Sequence, residues 1–296
     1  ILKSSIFKDF INKRKASGST INHLYQRDLV QFEIDLPLLE KQKKVANLLS
    51  SLDSKIELNN KINKELKSVA KTLYDYWFVQ FDFPNKNGKP YKSSGGKMIY
   101  NKRLNKKIPN DWIVVDLSDI SNITMGQSPS GESYNERGDG IIFYQGCTDF
   151  GDRFPNIRKF TTKPSRHAKK NDILLSVRAP VGTINIANED CCIGRGLAAL
   201  NSKIHANTFL FGVMVNLKQV FDRRNTSGTT FGSITKNDLF TLPVVIPNNN
   251  ELILEYDKKI SSSFKRQNII GYENKKIEKL RDLLLPMLMN GQVSVK

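Results

Sequence analysis

From Val45 onward, apolar side chains return at alternating steps of four and three residues: Val45, Leu49, Leu52, Ile56, Asn59, Asn63, Leu66, Ala70 and Leu73. Lys and Glu flank them, so the spacing predicts a long helix with one narrow seam, the pattern of a coiled coil. Seven of these nine positions are apolar. Asn59 and Asn63 weaken the seam but restrict its register, because a buried amide slipped off its partner loses its hydrogen bonds. A second arm, about residues 251–289, places Ile253, Tyr256, Ile260, Phe264, Ile277, Leu280, Leu284 and Leu288 at helical spacing, and Gly271 is expected to interrupt it. Each arm of ~40 residues would reach ~60 Å, a length that suits a spacer better than a member of a compact bundle.

Between Ile108 and Pro247 the pattern changes to short apolar runs broken by Gly, Pro, Asn and Asp, which predicts a mixed, strand-rich domain. Strands are expected at 112–115, 141–144, 173–177, 182–187 and 242–246, and a helix at 207–221. The stretches Pro84–Pro90 and Ser93–Gly96 read as a connector. The fold class is therefore α+β, a strand-rich domain flanked by long helices.

The chain also resembles itself at an offset of about 210 residues. Ser17-Gly18-Ser19-Thr20 aligns with Ser227-Gly228-Thr229-Thr230, Leu24 with Ile234, Asp28-Leu29 with Asp238-Leu239, and Pro37 with Pro247. In the arms, Asn63-Lys64, Leu66, Val69 and Leu73 correspond to Asn274-Lys275, Ile277, Leu280 and Leu284 with one residue of slippage. A repeat of this length implies one whole module and the tail of another. The expected division is a remnant at 1–37, a first helix at 38–83, a connector at 84–107, a complete module at 108–247, and a second helix with its tail at 248–296.

Charge narrows the partner. The 296 residues hold 46 Lys and Arg against 29 Asp and Glu, a formal net charge of +17, which favours a polyanion by Coulomb attraction. Nucleic acid comes first and an acidic membrane surface second. No apolar run approaches the ~20 residues that span a bilayer, and no apolar signal region opens the sequence, so a cytoplasmic location is expected. Cys147, Cys191 and Cys192 do not make a disulfide framework, and His23, His167 and His205 are scattered, so no metal site is expected.

No reaction centre is legible. A phosphate-binding Gly-rich loop, a dinucleotide fingerprint, a Ser/His/Asp arrangement and an amino-methyltransferase signature are all missing from the sequence. Asp172 and Glu189-Asp190 stand at turn and strand ends, where carboxylates are more often caps than catalysts. What the central module offers is polar, aromatic and Arg-bearing loops. The candidate contact residues are Gln127, Ser128 and Ser130 with Tyr134; Tyr144 and Gln145; Arg166 and His167; Arg178; Arg195; and Arg223 and Arg224 ahead of Ser227, Thr229 and Thr230. Arg and Gln carry paired donors and acceptors that match base edges, while Ser, Thr and backbone amides hold phosphates. Any one of them taken singly is as readily a turn residue or a surface ion-pair partner.

The run Leu174–Ala187 followed by Ile193-Gly194-Arg195-Gly196-Leu197-Ala198-Ala199 resembles the target recognition domain of Type I restriction-modification DNA specificity subunits. So do Ile108-Pro109-Asn110-Asp111-Trp112 and the connector run Asn87–Met98. The resemblance implies that the arms pair as an antiparallel coiled coil, through Leu49, Leu52, Ile56, Asn59, Asn63, Leu66, Leu73, Ile277, Leu280 and Leu284. It implies that each recognition domain reads half of a split target in double-stranded DNA while the helices set the gap. It further implies an adaptor with no catalytic residues and no cofactor of its own. Two methyltransferase subunits would bring S-adenosylmethionine, and endonuclease subunits would bring ATP and magnesium. With one complete recognition domain, the chain would act alone, pair with a second copy, or form part of a longer subunit. The alternative is the recognition portion of a fused methyltransferase-nuclease enzyme.

Overall fold

The computed structural model describes residues 5–13, 26, 30–32, 37–226, 233–289 and 291–295. It contains two compact units, one built from residues up to Ile62 together with those from Tyr272 onward, the other from Asn63–Gly271. Two long helices, α2 (Leu39–Tyr74) and α6 (Glu251–Met289), contribute segments to both.

In the smaller unit a short helix, α1 (Ser5–Lys13), buries Phe7 against Phe32, their rings edge to face with centroids 4.9 Å apart. The segment of α2 before Ile62 runs antiparallel to the segment of α6 after Tyr272. Asp53 meets Arg281 at 2.9 Å, and further along α2 Asn59 meets Asn274, further back along α6. No Gly or Pro interrupts α2, so backbone propensity favours the helix throughout. Gly291, in the left-handed region at φ +68°, ends α6, with the amide of Gln292 donating to the Met287 carbonyl.

Most of the seam follows the sequence pattern. Asn59 and Asn63 are buried, and Leu49, Leu52, Ile56, Leu66, Leu73, Ile277 and Leu284 are half-buried. Leu280 is a correction: it is 45% exposed. The inward stripe passes through Asn274, Ile277, Arg281, Leu284 and Leu288, so Arg281 takes the place expected of its neighbour. Its aliphatic stem can lie in the seam while its guanidinium reaches Asp53. Gly271 is a second correction, since α6 passes through it unbroken. A Cβ there would stand 2.7 Å from the Phe154 ring, so this glycine serves a close approach rather than a break.

The larger unit is the strand-rich module. Strand β3 (Trp112–Asp116) pairs antiparallel with β13 (Pro243–Pro247), bringing the two ends of the module together. A four-stranded antiparallel sheet has the order β10 (Ile184–Ile186), β9 (Ile173–Ser176), β12 (Leu197–Ser202), β4 (Ser121–Met125). A five-stranded mixed sheet has the order β5 (Tyr134–Asn135), β7 (Lys159–Thr161), β6 (Ile141–Tyr144), β11 (Cys191–Ile193), β8 (His167–Ala168), with β6 and β11 parallel. The two central strands of the antiparallel sheet supply fully buried Ile173, Leu174, Leu175, Leu197 and Leu200. A one-turn α3 (Leu117–Ile120) follows β3, helix α4 (Asn207–Thr226) follows β12, and a short α5 (Lys236–Phe240) precedes β13.

The stretch read as a connector is ordered. Pro84 bridges Pro90, the Asp82 carboxylate accepts from both the amide and the hydroxyl of Ser93 at 2.7 Å, and β1 (Met98–Asn101) forms a hairpin with β2 (Lys106–Pro109). The helical segments in this unit are not free spacers either. An aromatic cluster of Tyr74, Trp77, Phe78, Phe209 and Tyr256 joins the end of α2 to α4 and α6, and the Tyr256 hydroxyl donates to the Ala70 carbonyl at 3.0 Å. Aromatic pairs of this kind add about 0.5–1.5 kcal/mol each beyond their buried area, which holds these helical segments to the module within this unit.

Candidate nucleic-acid interface

Four of the polar loops chosen from the sequence converge through main-chain joints. The amide of Gln127 donates to the Ile193 carbonyl at 3.0 Å, and that of Ile193 donates to the Arg166 carbonyl at 2.9 Å. Gly194 donates to Tyr144 at 2.8 Å and Gly196 to Gln145 at 3.3 Å. The amide of Arg195 donates to the Ser128 hydroxyl at 3.3 Å. Glycine permits this crossing of backbones: a Cβ on Gly126 would stand 2.2 Å from the Gly194 carbonyl oxygen, and one on Gly196 would stand 2.8 Å from that of Gln145.

The frame leaves Gln127, Ser130, Gln145, Arg166, His167 and Arg195 exposed, with Ser128 half-buried among them. Arg178 is exposed beside the cluster, since the amide of its neighbour Val177 donates to Gly196 at 2.9 Å. Tyr134 is half-buried, stacked on Phe143 at 4.8 Å, with its hydroxyl donating to the Pro129 carbonyl at 3.0 Å, so it braces the first loop. Tyr144 is a correction. Its side chain is 0% exposed and its hydroxyl donates to the Asn188 side chain at 2.9 Å, which makes it a core residue with no atom to offer a partner. Arg223 and Arg224 fall in the last turns of α4, where their side chains lie outside the described residues, as do Ser227, Thr229 and Thr230.

Sequence reasoning missed two supports. Asp149, buried, accepts from the Gln145 amide at 3.0 Å and from Arg158 Nε at 2.8 Å, fixing the turn that presents Gln145. Ser165 donates its hydroxyl to the Gln127 carbonyl and ties the third loop to the first. An acidic residue four positions after an exposed Gln in a Gly-bearing turn was the available signal for Asp149.

The module's titratable groups serve architecture. Lys169 and Asp190 pair at 2.8 Å, which raises the lysine and lowers the carboxyl. Burial raises Asp172, which closes a turn by accepting from the Lys169 amide. Burial pushes the Cys191 thiol up to about 12, which leaves it protonated and unreactive at neutral pH. Among the described residues no group of three or more His, Cys, Asp or Glu is placed to hold a metal ion. No helix of the described residues is long and apolar enough to cross a membrane.

A sheet frame that presents Arg, Gln and Ser on mutually joined loops has the build of a recognition module. The chain belongs to the family of Type I restriction modification DNA specificity domains, whose model matches residues 2–68 and 109–282. It is 36% identical over 302 residues to the putative type I restriction enzyme MjaX specificity subunit of Methanocaldococcus jannaschii, covering 99% of this chain and 66% of that protein. It is 25% identical over 311 residues to the MjaIX specificity subunit of the same organism, covering 100% and 68%. The crystal structure of a Type-I restriction-modification system S subunit from M. genitalium shares the fold, with a TM-score of 0.60 at 17% identity over 96% of this chain and 72% of that one. The chain thus spans about two thirds of the length of these relatives.

Proposed function

We propose that this chain is the DNA-reading part of a Type I restriction-modification specificity subunit, non-catalytic in itself. The observation that carries the reading is the convergence of Gln127, Ser128, Gln145, Arg166 and Arg195 on one main-chain-joined frame, in a protein of net charge +17. Ser130, His167 and Arg178 extend the contact surface, and Arg223, Arg224, Ser227, Thr229 and Thr230, whose side chains lie outside the described residues, are proposed as further contacts from the sequence alone. Positive charge supplies sequence-independent attraction, and the loops discriminate bases at about 1–3 kcal/mol per bidentate contact.

On this reading 108–247 is a complete target recognition domain and 1–37 the end of another, joined by the helices at 38–83 and 248–296 and the connector at 84–107. The domain reads half of a bipartite target, and the helices set the distance to the other half, read by a second domain of a longer chain or of a second copy. Two methyltransferase subunits carry S-adenosylmethionine, endonuclease subunits carry ATP and magnesium, and the complex works in the cytoplasm. The family match and the specificity-subunit relatives support the assignment.

Selection of bound duplexes from a random library, with the methyltransferase partner present, tests it. One defined half-site is expected, and Arg195→Ala should relax it at a single position at a cost of about 1–3 kcal/mol. Removing one helical turn from the first arm should change the tolerated spacer and leave the half-site intact. Salt-dependent retention with no sequence preference would refute the reading.

A further inference from the structure

Within the larger unit a cavity of about 620 Å³ opens between the second half of α2, the first half of α6, α4 and β10. Its walls are apolar, formed by Tyr74, Ile184, Phe211, Val215, Ile260 and Phe264. Of its charged groups, Lys67 pairs with Asp152 at 3.0 Å, Lys71 with Asp75 and Lys218 with Asp222 at 2.9 Å, which leaves Lys64 and Arg153 as the lining cations that no carboxylate engages among the described residues. A volume of this size, within the roughly 300–1,000 Å³ of small-molecule sites, with apolar walls and a few convergent polar groups, is the usual build of such a site.

Two side chains in the wall have unmet needs. Arg153 is 5% exposed and lies over the Phe264 ring at 4.1 Å. Its Nε and Nη2 donate to Asn268 Oδ1 at 2.9 and 2.8 Å and its Nη1 to Gln267 Oε1 at 2.9 Å, all neutral acceptors. The adjacent Asp152 is engaged by Lys67 at 3.0 Å. A buried cation held by neutral amides and ring faces, with no carboxylate hydrogen-bonded to it, keeps much of its desolvation cost, which an anion would offset; burial accordingly pushes Arg153 down to about 10. Asn185 is also buried. Its Nδ2 donates to the Gly151 carbonyl at 2.7 Å, which fixes the amide's orientation and leaves Oδ1 without a donor.

We infer that this cavity binds a small amphiphilic hydroxy-acid, its apolar chain between Phe211, Ile260 and Phe264, its carboxylate at Arg153 and Lys64, and its hydroxyl donating to Asn185. The inference does not rest on the proposed DNA-reading role. Calorimetric titration of the intact chain with 3-hydroxydecanoate should show one saturable site, with 1-decanol binding at least about tenfold more weakly because it lacks the charge. Arg153→Met should weaken the acid about tenfold or more and leave the alcohol unchanged. Lys64→Glu, an exposed change at the rim that leaves the fold intact, should weaken the acid severalfold and keeps the test decisive if the Arg153 variant does not fold. Absence of saturable binding at millimolar acid, equal affinity for the alcohol, or indifference to Lys64→Glu would overturn the inference.

Discussion

The amide pair in the helical seam carries a prediction whose sign depends on how its members are replaced. Asn59 Nδ2 donates to Asn274 Oδ1 at 2.8 Å and to Glu273 Oε2 at 3.0 Å, and Asn274 Nδ2 donates to Asn60 Oδ1 at 2.8 Å. Asn59 and Asn274 are both buried. Asn59→Ala leaves the Asn274 oxygen without its donor, a loss of about 1–3 kcal/mol. Alanine's better helix propensity returns about 0.5 kcal/mol, so a net loss of roughly 0.5–2.5 kcal/mol is expected. Glu273 adds little, because its carboxylate is partly exposed and water replaces the lost donor. The double change Asn59→Leu with Asn274→Leu removes donor and acceptor together and adds apolar burial, so it should stabilise the helices while relaxing their register. Urea unfolding followed by helical circular dichroism reads both variants. If the single and double variants shifted the midpoint in the same direction, the claim that hydrogen-bond satisfaction governs this seam would fail.

Gly126→Ala should abolish sequence-selective DNA retention without loss of helix content, because the new Cβ would stand 2.2 Å from the Gly194 carbonyl oxygen and 2.7 Å from that of Leu197, forcing two main-chain segments apart; unchanged selectivity would count against the joined frame. Gly271→Ala gains about 1 kcal/mol of helix propensity but drives a methyl into the Phe154 ring, an overpacking cost of about 1–3 kcal/mol, so a lowered urea midpoint is expected and a raised one would refute the packing account. The Ser93 hydroxyl and amide hold the Asp82 carboxyl below its ordinary value of 3.8. Since the folded value is the lower one, this contact stabilises fully above the unfolded value and is lost as pH falls through the folded one. Amide exchange at Ser93 should accelerate in that acid range, and Asp82→Asn should remove the pH dependence.

The first arm was legible because its seam repeats without a break, and the register-setting asparagines announced themselves as polar residues in an apolar stripe. Strands such as Trp112–Asp116 and Ile141–Tyr144 were legible as short apolar runs between turn residues. Strand β12 escaped because Leu197–Ser202 is buried almost throughout and follows directly on a glycine-bearing turn, so nothing alternates. Tyr144 was misplaced for a related reason: β6 is covered on both faces, and an aromatic next to Gln and Gly looks like a loop until the sheet is seen to close over it. Apolarity alone points to Leu280, whereas a long side chain such as that of Arg281 can line a seam and place its charge outside it. Gly271 reads as a break because a local rule cannot see Phe154, which is more than a hundred residues away in the chain.

The joints between the polar loops are made largely by peptide groups, and this separates two properties that proteins often entangle. If Gln127, Gln145, Arg166 and Arg195 each owe their position to a carbonyl or an amide, exchanging one for another residue alters what is presented and leaves the scaffold standing. On the proposed DNA-reading role, such a surface is free to drift to a new preference one letter at a time, with the glycines beneath it as the fixed cost.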